Sequence, residues 1–170
     1  MEGMFDMKIN LKKITYTALL MAIVFIATVV IAIPSPLGGY LNLGDAAIYI
    51  ASYFLGPVLG FVAAGLGSML GDGYLGFIPY MIPTLLIKGT MGALSGYLFS
   101  KEKYLLAMVF GILLMTTGYY VFEVFLFANL ISPLTNIPYN LVQGTIGGVG
   151  GYLVIKTFKK STIKSSLKIK

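Results

Sequence analysis

Apolar residues run along this chain in six stretches, separated by short polar breaks or by breaks marked with proline and glycine. The first covers about 14–33 and stops at Pro34-Ser35-Pro36. The second covers 43–55 and the third 57–71, with Gly56-Pro57 between them. The last three cover 79–98, 104–131 and 139–158. A helix needs about 20 apolar residues to cross a bilayer, so this pattern predicts membrane-spanning helices. The first stretch exceeds the roughly 7–15 apolar residues of a signal-peptide core and is read as a span that stays.

Stretches two and three are short for a span, and one long helix kinked at Pro57 is the other reading. Lysine placement separates the two. With six spans and the N-terminus inside, Lys8, Lys12, Lys13, Lys101, Lys103 and every lysine from Lys156 onward are cytoplasmic, so that only Lys88 of the twelve lies elsewhere. Five spans would put the loop at 101–103 and the C-terminal lysines outside, against the tendency of cationic loops to stay in the cytoplasm. The expected architecture is therefore an all-α integral membrane protein, one domain over 1–170, with six transmembrane helices, both termini cytoplasmic and a basic tail over 159–170. The two short spans need protein cover or a thinned bilayer.

Glycines recur four apart, as in Gly56/Gly60, Gly67/Gly71, Gly92/Gly96, Gly144/Gly148 and Gly147/Gly151. Lipid gives little hydrophobic drive between helices, so close backbone approach has to supply the contact, and these pairs read as packing seams. Ala18 and Ala22 make a similar small face on the first helix, available to a neighbouring helix or to another subunit.

Composition sharpens this picture by exclusion. Of 170 residues, 58% are hydrophobic and 11% charged, with a mean hydropathy of +0.90, against roughly 25% charged in soluble domains. Without cysteine or histidine there is no disulfide, no thiolate chemistry and no imidazole base or ligand. All cationic side chains are lysine, which removes the guanidinium fork that grips phosphate or carboxylate in bidentate fashion. The net charge of +6 reads as membrane-flanking lysine, not as a nucleic-acid surface.

Ionisable side chains within a span cost about 2.5–3.5 kcal/mol on insertion scales. Lys88 and Glu123 are two such residues, at similar expected depth below the outer surface. They form either an ion pair that fixes two helices or a polar wall for a ligand. Thr116, Tyr119, Tyr120 and Glu123 recur on one face of the fifth helix, with Asn129 at its outer end. Asn140 and Gln143 share a face of the sixth helix, and Thr84 accompanies Lys88 on the fourth. The outer loops add Asn42, Asp72 and Tyr74, and Asp45, which reads first as a helix cap. The cytoplasmic half offers no comparable cluster. The pattern points to a pocket open on one side, suited to a small, flat, neutral or weakly basic heteroaromatic solute.

With these residues in view, the chain resembles the S-components of energy-coupling factor (ECF) transporters over nearly its whole length. The likeness rests on six spans in a short chain, Ala18-x-x-x-Ala22, Leu41-Asn-Leu-Gly-Asp45, Gly56-Pro-Val-Leu-Gly60 and Gly67-Ser-Met-Leu-Gly-Asp72. The resemblance implies high-affinity capture of a vitamin or precursor outside the cell, in a pocket formed by helices four to six and capped by outer loops. It implies that the Ala18/Ala22 face meets a transmembrane coupling subunit, that two cytosolic ATPases supply the energy, and that the site is a bacterial plasma membrane. Within the family the chain is most like members for hydroxymethylpyrimidine or pyridoxine; the absence of tryptophan departs from the thiamine type. No cofactor or metal is expected, and the chain has no GxxxxGK[ST] phosphate loop of its own. Two other readings are a solitary proton-coupled carrier using Glu123 and a membrane enzyme built on Asp45, Asp72, Lys88 or Glu123.

Overall fold

The structure, a computed structural model, describes residues 11–160. It is all-α apart from one minimal hairpin. The order is α1 (Leu11–Val29), β1 (Ile33–Pro34), β2 (Tyr40–Leu41), α2 (Gly44–Tyr74), a 3-10 turn (Ile78–Tyr80), α3 (Met81–Ser100), α4 (Tyr104–Phe127), a second 3-10 turn (Ser132–Asn136) and α5 (Ile137–Lys160). By length and composition, α1, α2 and α4 can cross a membrane. Helices α3 and α5, of 20 and 24 residues, are diluted by Lys88 and by the Asn140, Gln143 and glycine face.

The decisive feature is a break inside α2. Gly56 has φ 75° and ψ −169°, a conformation essentially confined to glycine, and Pro57 follows it. A Cβ on Gly60 would stand 3.2 Å from the Ser52 Cα, whereas eight residues of continuous helix span about 12 Å. Gly44 and Gly71, near opposite ends of the element, both press against Thr28. Helix α2 therefore folds back on itself as two arms, 44–55 and 57–74.

Glycine contacts then fix the directions of the helices. Gly60 meets Gly92, Gly65 meets Leu85 and Gly89, and Gly96 meets Gly56, so the second arm runs antiparallel to α3. Gly67 meets Met21 and Val24 while Gly71 meets Thr28, so the same arm runs parallel to α1. Gly147 meets Asp45 and Gly151 meets Tyr49, so the first arm runs parallel to α5. The six helical passes alternate in direction. Val24, Ile48, Tyr49, Met91, Met115 and Ile155 form the buried centre, while large apolar residues such as Leu11, Val58 and Phe125 stand exposed around the outside, as a surface solvated by lipid requires.

Two helices end earlier than the hydrophobic pattern suggests. Helix α1 stops at Val29, not near Ile33, because the residues before Pro34 and Pro36 turn extended and Ile33–Pro34 pairs with Tyr40–Leu41. Helix α4 stops at Phe127, not near Ile131. Ala128 is left-handed, and Asn129 Oδ1 accepts the amides of Ile131 and Ser132 at 2.7 and 3.0 Å. That side chain replaces helical hydrogen bonds with a turn.

Alternation also gathers the described flanking lysines at one end, where α1 and α4 begin and α3 and α5 finish. There Lys159 lies 3.8 Å from Glu102 and 4.9 Å from the Tyr104 ring centre. Lys8 and the tail from residue 161 lie outside the described residues.

Candidate functional site

At the end away from those lysines, the elements converge on a small cavity of about 40 Å³. The hairpin between α1 and α2 covers it with Ser35, Gly39, Tyr40, Leu41 and Asn42. The end of α2 and the following turn contribute Asp72, Phe77 and Tyr80, and α3 contributes Thr84. Tyr119 and Glu123 come from α4, and Asn136, Tyr139, Asn140 and Gln143 from the α4–α5 connection and α5. The hairpin reaches this position because Pro34-Ser35-Pro36 cannot continue α1 and Gly38 adopts φ 96°, which returns the chain across the helix ends.

Polar groups on the walls are tied to one another. The Tyr40 hydroxyl donates to Asp72 Oδ1 at 2.6 Å. Burial first, and the Asp72 charge second, push that hydroxyl well above the ordinary tyrosine range, so it stays a donor. Glu123 Oε1 accepts from Tyr80 at 3.2 Å and from Asn136 Nδ2 at 2.9 Å. Thr84 and Tyr119 hydroxyls share a bond of 2.9 Å. Aromatic faces complete the walls: Tyr40 lies on Phe77 with centroids 4.7 Å apart, Phe77 meets Tyr80 edge-on at 6.2 Å, and Tyr80 leans on Tyr119 at 6.4 Å.

Beneath the cavity lies an ion pair that depth alone did not identify. Lys88 bonds Asp45, not Glu123, and both residues are buried. Gln143 links this pair to the covering hairpin. Its Nε2 donates to Asp45 Oδ2 at 3.1 Å and its Oε1 accepts the Asn42 amide at 3.0 Å. The Lys88 ammonium also touches Met115 Sδ at 2.7 Å and lies 5.7 Å from the Tyr119 ring centre. Asp45 is thus no helix cap. Leu43 holds the cap position without a side-chain bond, and Asn42 forms a turn just before it, its Oδ1 accepting the Gly44 amide at 2.8 Å. The Lys88–Glu123 pairing fails on depth: α3 and α4 run antiparallel with Tyr80 level with Glu123, Thr84 with Tyr119 and Lys88 with Met115, so Lys88 lies about two turns below Glu123 on the same face of α4.

Of the sequence candidates, Asn42, Asp72, Thr84, Tyr119, Glu123, Asn140 and Gln143 line the cavity, with Lys88 below. Three stand apart. Tyr120 is one step of about 100° around α4 from Tyr119, and its hydroxyl donates to the Leu130 carbonyl at 3.2 Å. Asn129 holds the turn after α4. Tyr74 is 74% exposed and packs edge-on against Phe25. Sequence reasoning missed Ser35, Gly39, Tyr40, Leu41, Phe77, Tyr80, Asn136 and Tyr139. All eight sit in or beside connections, where no period reports which way a side chain points. Ala18 and Ala22 are exposed on α1, on the face away from the buried Thr17, Val24 and Thr28.

Similarity to known proteins covers the whole described chain. The model of the ECF-type riboflavin transporter S component family matches residues 8–160. An uncharacterized protein of Pyrococcus woesei is 35% identical over 142 residues, covering 78% of this chain and 95% of that one. The thiamine precursor transporter HmpT of Lactococcus lactis subsp. cremoris is 30% identical over 142 residues, covering 82% of this chain and 83% of its own length.

Proposed function

Because the chain belongs to the ECF-type riboflavin transporter S component family, we propose that it is the substrate-capturing subunit of a vitamin importer. In this reading each helical pass is a transmembrane span, both termini are cytoplasmic and the cavity opens outward at the plasma membrane. The gathering of flanking lysines at the opposite end supports that orientation. The captured solute is a small heteroaromatic vitamin or precursor, hydroxymethylpyrimidine or pyridoxine in first place; similarity to HmpT favours this over a ligand as large as riboflavin. Uptake is driven by ATP through a coupling subunit and two ATPase subunits.

The observation that carries the proposal is the composition of the cavity: tied carboxylates, amides and aromatic faces at the end away from the lysines, under a hairpin that spans the mouth. Aromatic faces hold a flat ring, and a few fixed polar groups orient it. Binding to the purified protein in detergent, by calorimetry against a vitamin panel, tests it. Glu123→Gln is expected to weaken binding of the best ligand about 10–100-fold, the range for losing a charge-assisted hydrogen bond, with the melting temperature little changed. Equal affinity would remove Glu123 from the site.

Ala18→Leu tests the coupling face. The substitution lies on an exposed part of α1, far from the cavity, so ligand affinity should be preserved. Co-purification with the coupling subunit and uptake into cells should fall at least tenfold. Full transport by the variant would place the partner on another face.

A further inference from the structure

Gln143 carries one amide group with two unlike ends, and the fold uses both. Its Oε1 accepts the Asn42 main-chain amide at 3.0 Å, where the covering hairpin joins α2, and its Nε2 donates to Asp45 Oδ2 at 3.1 Å. A main-chain N–H requires an acceptor and a carboxylate requires a donor, so the two partners fix which way the amide points. Lysine at 143 could serve only the carboxylate, and an apolar side chain could serve neither partner. Gln143 is buried, so a partner left without its bond would bear its own desolvation cost.

The two ends lead to parts of different firmness. Asp45 in the first arm of α2 is held by Lys88 of α3, and both are buried. Asn42 belongs to a segment with sparser support. Further along it, Tyr40 donates to Asp72 and lies on Phe77. Gly38 and Gly39 at its tip have no side chain to anchor, and Leu43, at the start of α2, makes no side-chain cap bond. The bond from Asn42 to Gln143 therefore fixes one root of the hairpin, and it does so by reference to α3, through Lys88, Asp45 and Gln143 in turn.

From this juxtaposition we infer that Gln143 is a positioning residue: it seats the covering hairpin on the buried Asp45–Lys88 pair and so sets how often the cavity opens. Its effect on a solute passes through the hairpin. Cutting the relay quickens entry and exit alike, whatever solute the cavity takes.

Hydrogen–deuterium exchange on the full-length, solute-free protein in detergent tests this, because amide exchange reports local opening. The Asn42 amide is expected to be protected in the parent. Gln143→Met, similar in size and lacking both bonds, is expected to speed its exchange at least tenfold while α3 keeps the parent rates. Lys88→Met with Asp45→Leu leaves the Asn42 acceptor in place but removes its anchor, and is expected to speed Asn42 selectively over α3 as well. The chain contains no cysteine, so Thr84→Cys provides a single thiol on a buried wall of the cavity. Adding Gln143→Met should raise the rate of its reaction with a small methanethiosulfonate reagent at least tenfold.

An unprotected Asn42 amide in the parent overturns the inference, as does parent-like exchange in Gln143→Met or an unchanged thiol rate. Parent-like exchange of Asn42 in the double variant also overturns it, because Asn42 would then need only an acceptor and not the ion pair behind it. Faster exchange spread evenly over α3 and Asn42, in either variant, belongs to a merely structural contact and overturns it too. None of these outcomes bears on vitamin capture, which the calorimetric panel tests separately.

Discussion

Lys88→Met is expected to destabilise the protein by about 3–5 kcal/mol, the cost of stranding one member of a buried ion pair. Asp45 is fully buried in the first arm of α2 and Lys88 is nearly so in α3. Two bonds hold the carboxylate, from Lys88 and from Gln143 Nε2. Without the ammonium, Gln143 alone would face a carboxylate in a low-dielectric interior, where the effective penalty is several kcal/mol. The damage would spread, since Gln143 also holds the Asn42 amide at the base of the covering hairpin. Thermal unfolding in detergent should show a midpoint lower by about 10 °C, at roughly 2–4 °C per kcal/mol for a chain of this size. The double variant Lys88→Met with Asp45→Leu removes both charges together and should recover most of the loss, because apolar pairs often replace buried ion pairs without penalty. A single variant that melts like the parent would mean that Asp45 keeps its solvation without Lys88. A double variant no better than the single one would locate the loss in packing.

How much of this was legible beforehand depended on what kind of order each part obeys. Helical stretches announce themselves by length and apolarity, and the Gly56-Pro57 break is visible as two residues that no continuous helix favours. Depth along a helix could be counted, which placed Lys88, Glu123 and Tyr119 in the right half. Relative depth between helices, and azimuth, could not. Counting put Lys88 and Glu123 at one depth, whereas the antiparallel register of α3 and α4 sets Lys88 beside Met115, about two turns below Glu123, and the α2 reversal brings Asp45 to it. The same limit misplaced Tyr120, since nothing in the chain says which of two adjacent tyrosines turns inward. Tyr40, Tyr80 and Asn136 were out of reach for another reason. They lie in connections whose course is set by Gly38, by two short proline-led 3-10 turns and by contacts with distant helices, so no periodicity marks them. The carboxylates could be seen; the donors already committed to them could not.

The glycine seams carry the second large effect. At the crossing of α2 with α3, a Cβ on Gly92 would stand 2.6 Å from the Gly60 carbonyl oxygen and 2.7 Å from the Ala64 Cβ, and one on Gly96 would stand 2.6 Å from the Gly56 carbonyl carbon. Most of the obstruction is main chain, which cannot rotate aside. Gly92→Ala therefore has to push the second arm of α2 away from α3. In lipid, close packing is the main force joining these helices, and even a gap of 0.5–1 Å forfeits a quarter to a half of each contact's attraction. Overpacking typically costs about 1–3 kcal/mol and occasionally more; a backbone-on-backbone clash belongs at the upper end. Ligand binding should fall as well, because the separated elements carry Asp72 on one side and Thr84 on the other. Gly150→Ala is the matched control. Its Cβ would meet only the Ala46 Cβ, at 3.7 Å, an ordinary contact, so both stability and affinity should stay near those of the parent. If Gly92→Ala melted and bound like Gly150→Ala, the arms would be free to part. The cavity would then owe its shape to the covering hairpin and the polar bonds beneath it, and not to the glycine crossing of α2 and α3.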